Sequence, residues 1–455
     1  MRPVAAPLLL LLLAPAAQAD RFTPGRHEDA KDPKPRPRAA WTQDEPVAPS
    51  EPEPLAIVGA DIHPVTRAPI VSGTLLLKGG RIEAVLGSAA RIPAGYRVVD
   101  GRGLQAWPGY VAAGSDGLGL TDDAWAGGQD AMLARGVAES FDPWADGVEL
   151  AASAGITTML TWRAPGGAKG PLAGRAAILK MSVREPRGAV VSDLAAAVAG
   201  PGLLGPEGRQ AARKAVEAAR EQGPRKNDPL AALWRALARR EAPLLAMFDA
   251  AGDILSVAEL AKDLRLRLVL VTPAEAWPLA DRLAEDGVAV IQNVRHSWGK
   301  PREDRRGGLP GGWRFDAVAR LRRAGVETAV VTDSPTISPW GVAGRDLLDL
   351  PLEAAFAVRA GLSEQEAIES ITIAPARILG IDDRVGSLEA GKDADFIVLS
   401  GDPLSLFTRV EQTWVEGVKV FDLAVPDDRK YAEGGWGVGH PRVENVCCLG
   451  GGEDR

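Results

Sequence analysis

The sequence predicts an α/β protein: a βα-repeat barrel accompanied by a small sheet drawn from both ends of the chain. Between about Pro108 and Gly380, short apolar runs alternate with segments of helical period, the pattern of repeated βα units. On either side, from Leu55 and again from Gly386, the texture changes to short β-rich runs broken by Gly. The third observation is bulk. With 455 residues, 46% hydrophobic and 25% charged, the chain can bury a large core and fits neither a fibrous nor a disordered class.

In chain order, residues 1–19 read as a secretory signal peptide. Arg2 supplies the positive start, Leu8–Leu13 the apolar centre and Ala17-Gln18-Ala19 the cleavage site, and the segment is too short to span a bilayer. The expected location is exported, periplasmic or secreted, with no transmembrane segment. Residues 20–54 are rich in Pro and charge and have almost nothing to bury, so they read as an extended linker. Residues 55–107 carry the strand-like runs Leu55–Val58, Thr74–Leu77, Arg81–Val85 and Arg97–Val99.

Across residues 108–379 the apolar runs are Tyr110–Ala113, Ile156–Thr161, Ala176–Lys180, Pro243–Phe248, Leu266–Val271, Val288–Gln292 and Val326–Thr332. The helical segments are Gln210–Glu221, Leu230–Arg240, Ile254–Leu264, Ala276–Asp286, Arg314–Ala324 and Leu352–Ala360. Residues 380–423 return to strand texture over Gly386–Leu399 and Arg409–Phe421. Residues 424–455 are a Gly-rich tail, expected to be poorly ordered.

Charge and rare residues narrow the function. Lys plus Arg number 53 against 60 Asp plus Glu, a net charge of −7. Without residues 1–19, Arg2 is gone and 52 basic against 60 acidic residues leave −8. Such a chain, with no strongly basic block, is a poor partner for nucleic acid. The two cysteines, Cys447 and Cys448, build neither a zinc ribbon nor a disulfide scaffold; they form a vicinal disulfide, pair between molecules, or stay reduced. Oligomeric state is not legible.

The segment Ile371-Thr-Ile-Ala-Pro-Ala-Arg-Ile-Leu-Gly380, followed by Asp383-Arg-Val-Gly-Ser-Leu-Glu-Ala-Gly-Lys-Asp-Ala-Asp-Phe-Ile-Val-Leu399 and Gly401-Asp-Pro-Leu404, closely resembles the closing signature of the amidohydrolase superfamily, above all its exported imidazolonepropionase-like members. The run Gly73–Val85, then Val99-Asp-Gly-Arg-Gly103 and Trp107-Pro-Gly109, resembles the family's entry into its barrel; Ala154-Gly-Ile-Thr-Thr158 and Thr332-Asp-Ser-Pro335 also match. The resemblance covers roughly residues 55–423. It implies a TIM-type (β/α)8 barrel with a composite β-sandwich, and hydrolysis of C–N bonds other than peptide bonds at a metal-activated water. Part of the signature has a purely conformational reading: Gly386 and Gly391 flank a turn that needs positive φ.

In such a barrel the chemistry sits at the C-terminal strand ends. A zinc-type ion needs imidazole and carboxylate donors, and lowers the pKa of bound water to about 7. Only four histidines exist: His27 lies in the linker, His63 in the sandwich, His440 in the tail, and His296 alone lies in the barrel segment. The resemblance places an H-x-H pair where this chain has Gly114 and Asp116, and an imidazole where it has Met247, a soft thioether. Thr272 follows at the next strand end. Asp333 stands where the family has the carboxylate that touches metal and accepts the proton from water. The predicted catalytic set is therefore Asp333, Asp116 and His296, each of which has a plain reading as a turn or loop residue.

Asp249, Asn293 and Arg163 are the predicted substrate contacts, with Trp162 beside them, and Lys180 invites comparison with the carboxylated lysines of some relatives. No metal ligand is assigned; a single divalent ion fits only if Asp116, Asp333 and His296 converge. Two functional classes stay open. One is a hydrolase acting on a small amide or cyclic amide through an atypical site. The other is a catalytically inactive scaffold that binds such a ligand.

Overall fold

The structure is a computed structural model that describes residues 52–114, 136–162, 170–181, 188–221, 229–295, 311–332 and 350–433. The linker expected over 20–54 and the tail from 434, with His27, His440, Cys447 and Cys448, lie outside or almost wholly outside these residues. Two eight-stranded sheets organise the fold.

The first sheet takes strands from both ends of the described chain: β1 (Leu55–Ile62), β2 (Ile70–Lys78), β3 (Arg81–Leu86), β4 (Arg97–Asp100) and β5 (Gln105–Pro108), then β14 (Phe396–Leu399), β15 (Val410–Val415) and β16 (Val418–Asp422). Its order is β16-β15-β14-β5-β1-β2-β3, with β4 added to β1. The two halves join where β5 pairs antiparallel with β14, Phe396 opposite Pro108 and Val398 opposite Ala106. Alternation puts Leu55, Ile57, Leu75, Leu77, Phe396 and Trp414 on one buried face. There Phe396 stacks on Trp414 at 5.4 Å. Gly386 and Gly391, with φ of +89° and +90°, turn the chain toward β14 in a region L side chains rarely adopt.

The second sheet runs β6 (Tyr110–Ala112), β7 (Ile156–Trp162), β8 (Leu172–Lys180), β9 (Val190–Ala199), β10 (Leu244–Ala246), β11 (Leu268–Val271), β12 (Ala289–Asn293) and β13 (Thr328–Val331), neighbours in that order. All pairings are parallel except the two made by β8, so every strand but β8 points the same way. One apolar cluster takes a residue from each of the eight: Val111, Leu160, Ile178, Val198, Leu245, Val269, Ile291 and Val331. The two end strands also share a neighbour. Val330 N–H on β13 donates to Ser370 O at 2.9 Å, and Val111 N–H on β6 donates to Ile371 O at 3.0 Å. Helices, among them Pro206–Glu221, Ala251–Asp263 and Leu350–Arg359, cover the outward-facing residues of this sheet.

Three elements differ from the sequence expectation. Val190–Ala199, six of its ten residues Ala, Ser or Asp, becomes a strand because β8 and β10 pair with it on both sides. The single helix expected over Ala276–Asp286 is split by Pro278 into a 3-10 turn, Trp277–Leu279, and a helix, Ala280–Glu285. The start of the Gly-rich tail forms a helix, Pro426–Glu433, with Pro as its first residue and Asp427 and Asp428 in its first turn.

Candidate functional site

Six of the seven like-directed strands of the second sheet end at, or within two residues of, Gly114, Trp162, Met247, Thr272, Asn293 and Thr332. At Gly114, a side chain has nowhere to go. A Cβ built there would lie 2.8 Å from Cη2 and 3.2 Å from Cζ3 of the Trp162 indole, and 3.5 Å from Cγ2 of Val331. Trp162 is 2% exposed and belongs to the interior apolar cluster, against which half-buried Met247 also packs. An indole and a thioether thus fill space where a metal site needs nitrogen and oxygen donors. Among the described residues, no group of three or more His, Cys, Asp or Glu is arranged to hold a metal ion. Gly114 and Met247 offer no side-chain nitrogen or oxygen donor at their strand ends.

Thr272 has φ of +48°, unusual for a β-branched residue, while its N–H donates to Ile291 O at 2.7 Å. Strained backbone at a strand end is a recurrent mark of sites.

Two buried carboxylates brace the loops that follow these strands. Glu275, 5% exposed, accepts from Ala251 N–H and Gly312 N–H, each at 2.9 Å, and its own N–H donates to Asp249 O at 3.0 Å. Glu353, fully buried on the helix Leu350–Arg359, accepts from the N–H groups of Val294 (3.3 Å) and Arg295 (3.2 Å) and from Arg295 Nε at 2.6 Å. Burial pushes the Glu353 carboxyl above its ordinary range, and Arg295 opposes that only in part. Neither carboxylate stood out in the sequence. The one signal for Glu353 is a lone acid in the apolar run Pro351–Val358.

Of the predicted site residues, Asp116, Arg163, His296 and Asp333 lie outside the described residues. Asp249 is exposed, and its Oδ1 accepts from Ala274 N–H at 3.4 Å within the loops after β10 and β11. Asn293 is buried; its Nδ2 donates to Arg295 O at 2.7 Å and its Oδ1 accepts from Gln292 Nε2 at 3.1 Å. Glu353 and Asn293 together hold the backbone of residues 294–295, directly ahead of His296. Lys180 is an ion-paired ammonium facing Asp393 and Asp395, at the opposite end of the strands from Trp162.

Residues 250–421 match the profile of the Amidohydrolase family. An amidohydrolase from Thermotoga maritima MSB8 has the same fold, with a TM-score of 0.65 at 23% identity over 81% of this chain and 100% of that one. Molinate hydrolase follows with a TM-score of 0.53 at 18% identity over 87% of this chain and 99% of that one. Among curated proteins, the amidohydrolase tasK of Hapsidospora irregularis is 36% identical over 108 residues, 24% of this chain. The N-substituted formamide deformylase of Arthrobacter pascens is 32% identical over 152 residues, 30% of this chain. This chain spans 10% of the length of the first and 27% of the second. The profile match makes residues 250–421 similar to the Amidohydrolase family, and the solved structures share the fold.

Proposed function

We propose that this protein hydrolyses a C–N bond of a small amide or cyclic amide, at an atypical centre on the strand ends of the second sheet. The relatives named for deformylase and molinate hydrolase activity support the reaction class. In this reading the second sheet closes into a (β/α)8 barrel, supported by the eight-strand interior cluster and by Ser370 and Ile371 between its end strands. Asp333 is the proton acceptor, with Asp116 and His296 beside it, in place of the family's imidazole set. The observation that carries the atypical centre is the Trp162 ring in the space above Gly114. Export rests on Arg2, Leu8–Leu13 and Ala17–Ala19. Among the described residues no helix is long and apolar enough to cross a membrane.

The test is a cleavage panel of amides, lactams and N-formyl compounds, run beside elemental analysis of the purified chain. Cleavage that falls at least about 100-fold in Asp333→Ala, with at most one equivalent of divalent metal, is the expected result. Two tightly bound equivalents would refute the atypical centre. The second reading, an inactive ligand-binding scaffold, is favoured by the lack of any imidazole at the described strand ends. Saturable binding of an uncleaved amide, unaffected by Asp333→Ala, would establish it instead.

A further inference from the structure

A cavity lies at the start of β6, where Tyr110 begins the strand whose far end leads to Gly114, about 13 Å away at about 3.3 Å per residue. Its volume is about 280 Å³. Buried Tyr110, Ser153 and Leu399 form the inner wall, and exposed Ser405, Leu406 and Arg409 the lip. Leu406 is 77% exposed and its neighbour Phe407 94%, so the approach is apolar.

Two observations point to a ligand. Tyr110 is 2% exposed and lines the cavity, and its hydroxyl makes no hydrogen bond to the described residues, which leaves it open to a ligand. The charge around it also selects. Burial first, and the Asp402 carboxylate second, push the Tyr110 phenol above its ordinary range, so it stays a neutral donor and disfavours an anion at the inner wall. A volume at the low end of the range for ligand pockets admits only a small molecule.

We propose that this cavity is a binding site, separate from the strand ends, for a small molecule with a short aliphatic chain and a neutral carbonyl that accepts from the Tyr110 hydroxyl. The chain packs on Leu399, Leu404 and Val410. The corresponding carboxylate is disfavoured, because it would give up its water against a neutral phenol and an apolar wall.

The test uses the full chain with the neutral apolar fluorophore N-phenyl-1-naphthylamine as reporter and hexanamide and hexanoate as matched competitors. Hexanamide displaces the reporter saturably, and hexanoate does so at least tenfold more weakly. Tyr110→Phe, which keeps the ring, weakens hexanamide about fivefold, the worth of one neutral hydrogen bond, and leaves the reporter's own affinity unchanged. Leu404→Trp, nearer the lip, abolishes both. Equal displacement by hexanoate, or hexanamide binding that follows Asp333→Ala rather than Tyr110→Phe, overturns the proposal. So does a dimer in solution that Phe407→Asp dissociates, because the apolar lip then belongs to a second copy.

Discussion

Lys180 and Asp395 form an ion pair 2.5 Å long in which each side chain is 1% exposed. Lys180 also donates to Asp393 at 2.9 Å, and Asp395 accepts from Thr158 Oγ1 (3.3 Å) and from Glu416 N–H (2.9 Å). The pair joins β8 of the second sheet to the segment that leads into β14 of the first. Burial alone would raise the Asp393 carboxyl; Lys180 and Arg384 outweigh it and hold it below the usual range.

Removing one partner of such a cluster leaves buried charge without compensation. Lys180→Met is therefore expected to destabilise the protein by about 3–5 kcal/mol, read as a lowered midpoint in chemical denaturation. Adding Asp395→Asn should recover part of that loss. A Lys180→Met chain as stable as the parent would show that the cluster contributes nothing net.

Glu353 sets a pH dependence of defined sign. Its folded pKa lies above its unfolded value of about 4.3, so its favourable contribution is complete below that pH and is lost as pH rises through the folded value. In Glu353→Gln this part of the profile should flatten, while overall stability falls because Arg295 loses its ion pair with the Glu353 carboxylate. Melting temperatures from about pH 4.3 upward decide the matter, and parallel curves for the two chains would contradict it.

Gly114 and Trp162 should behave as one unit. Gly114→Ala forces a methyl group against the indole and is expected to cost about 1–3 kcal/mol. Paired with Trp162→Phe, the same change should cost less than the sum of the two single substitutions. Simple additivity in a double-mutant cycle would mean the ring and the missing side chain do not share space.

Thr272 offers the opposite sign. Relief of its positive φ in Thr272→Gly should outweigh the added freedom of the unfolded chain and raise stability by about 1 kcal/mol. A lower melting temperature would show that the Thr272 side chain holds contacts worth more than the strain.

The strands legible in the sequence were those rich in branched apolar residues, such as Ile156–Trp162 and Leu268–Val271, which are buried throughout. Val190–Ala199 was not, because its strand character comes from partners on both sides rather than from its own residues. The split at Pro278 and the helix starting at Pro426 were both available in the sequence, as a Pro inside a helical period and a Pro followed by two acids. Of the expected site, the sequence offered Gly114 and Met247 where the resemblance places imidazoles. What surrounds them was not legible, since Trp162 meets Gly114 across two strands and Glu353 reaches residues 294–295 from a helix beyond the last strand.

The register that sets Pro108 opposite Phe396 has a consequence for biosynthesis. A ribosome that has released β1–β5 has made a sheet whose β5 edge waits for a partner encoded only after the entire second sheet. Chains cut short before Phe396 cannot cover that edge, and an uncovered edge is a template for association between chains. Completion of the first sheet is thereby a late event, and premature termination upstream of β14 should yield aggregates rather than a smaller folded protein.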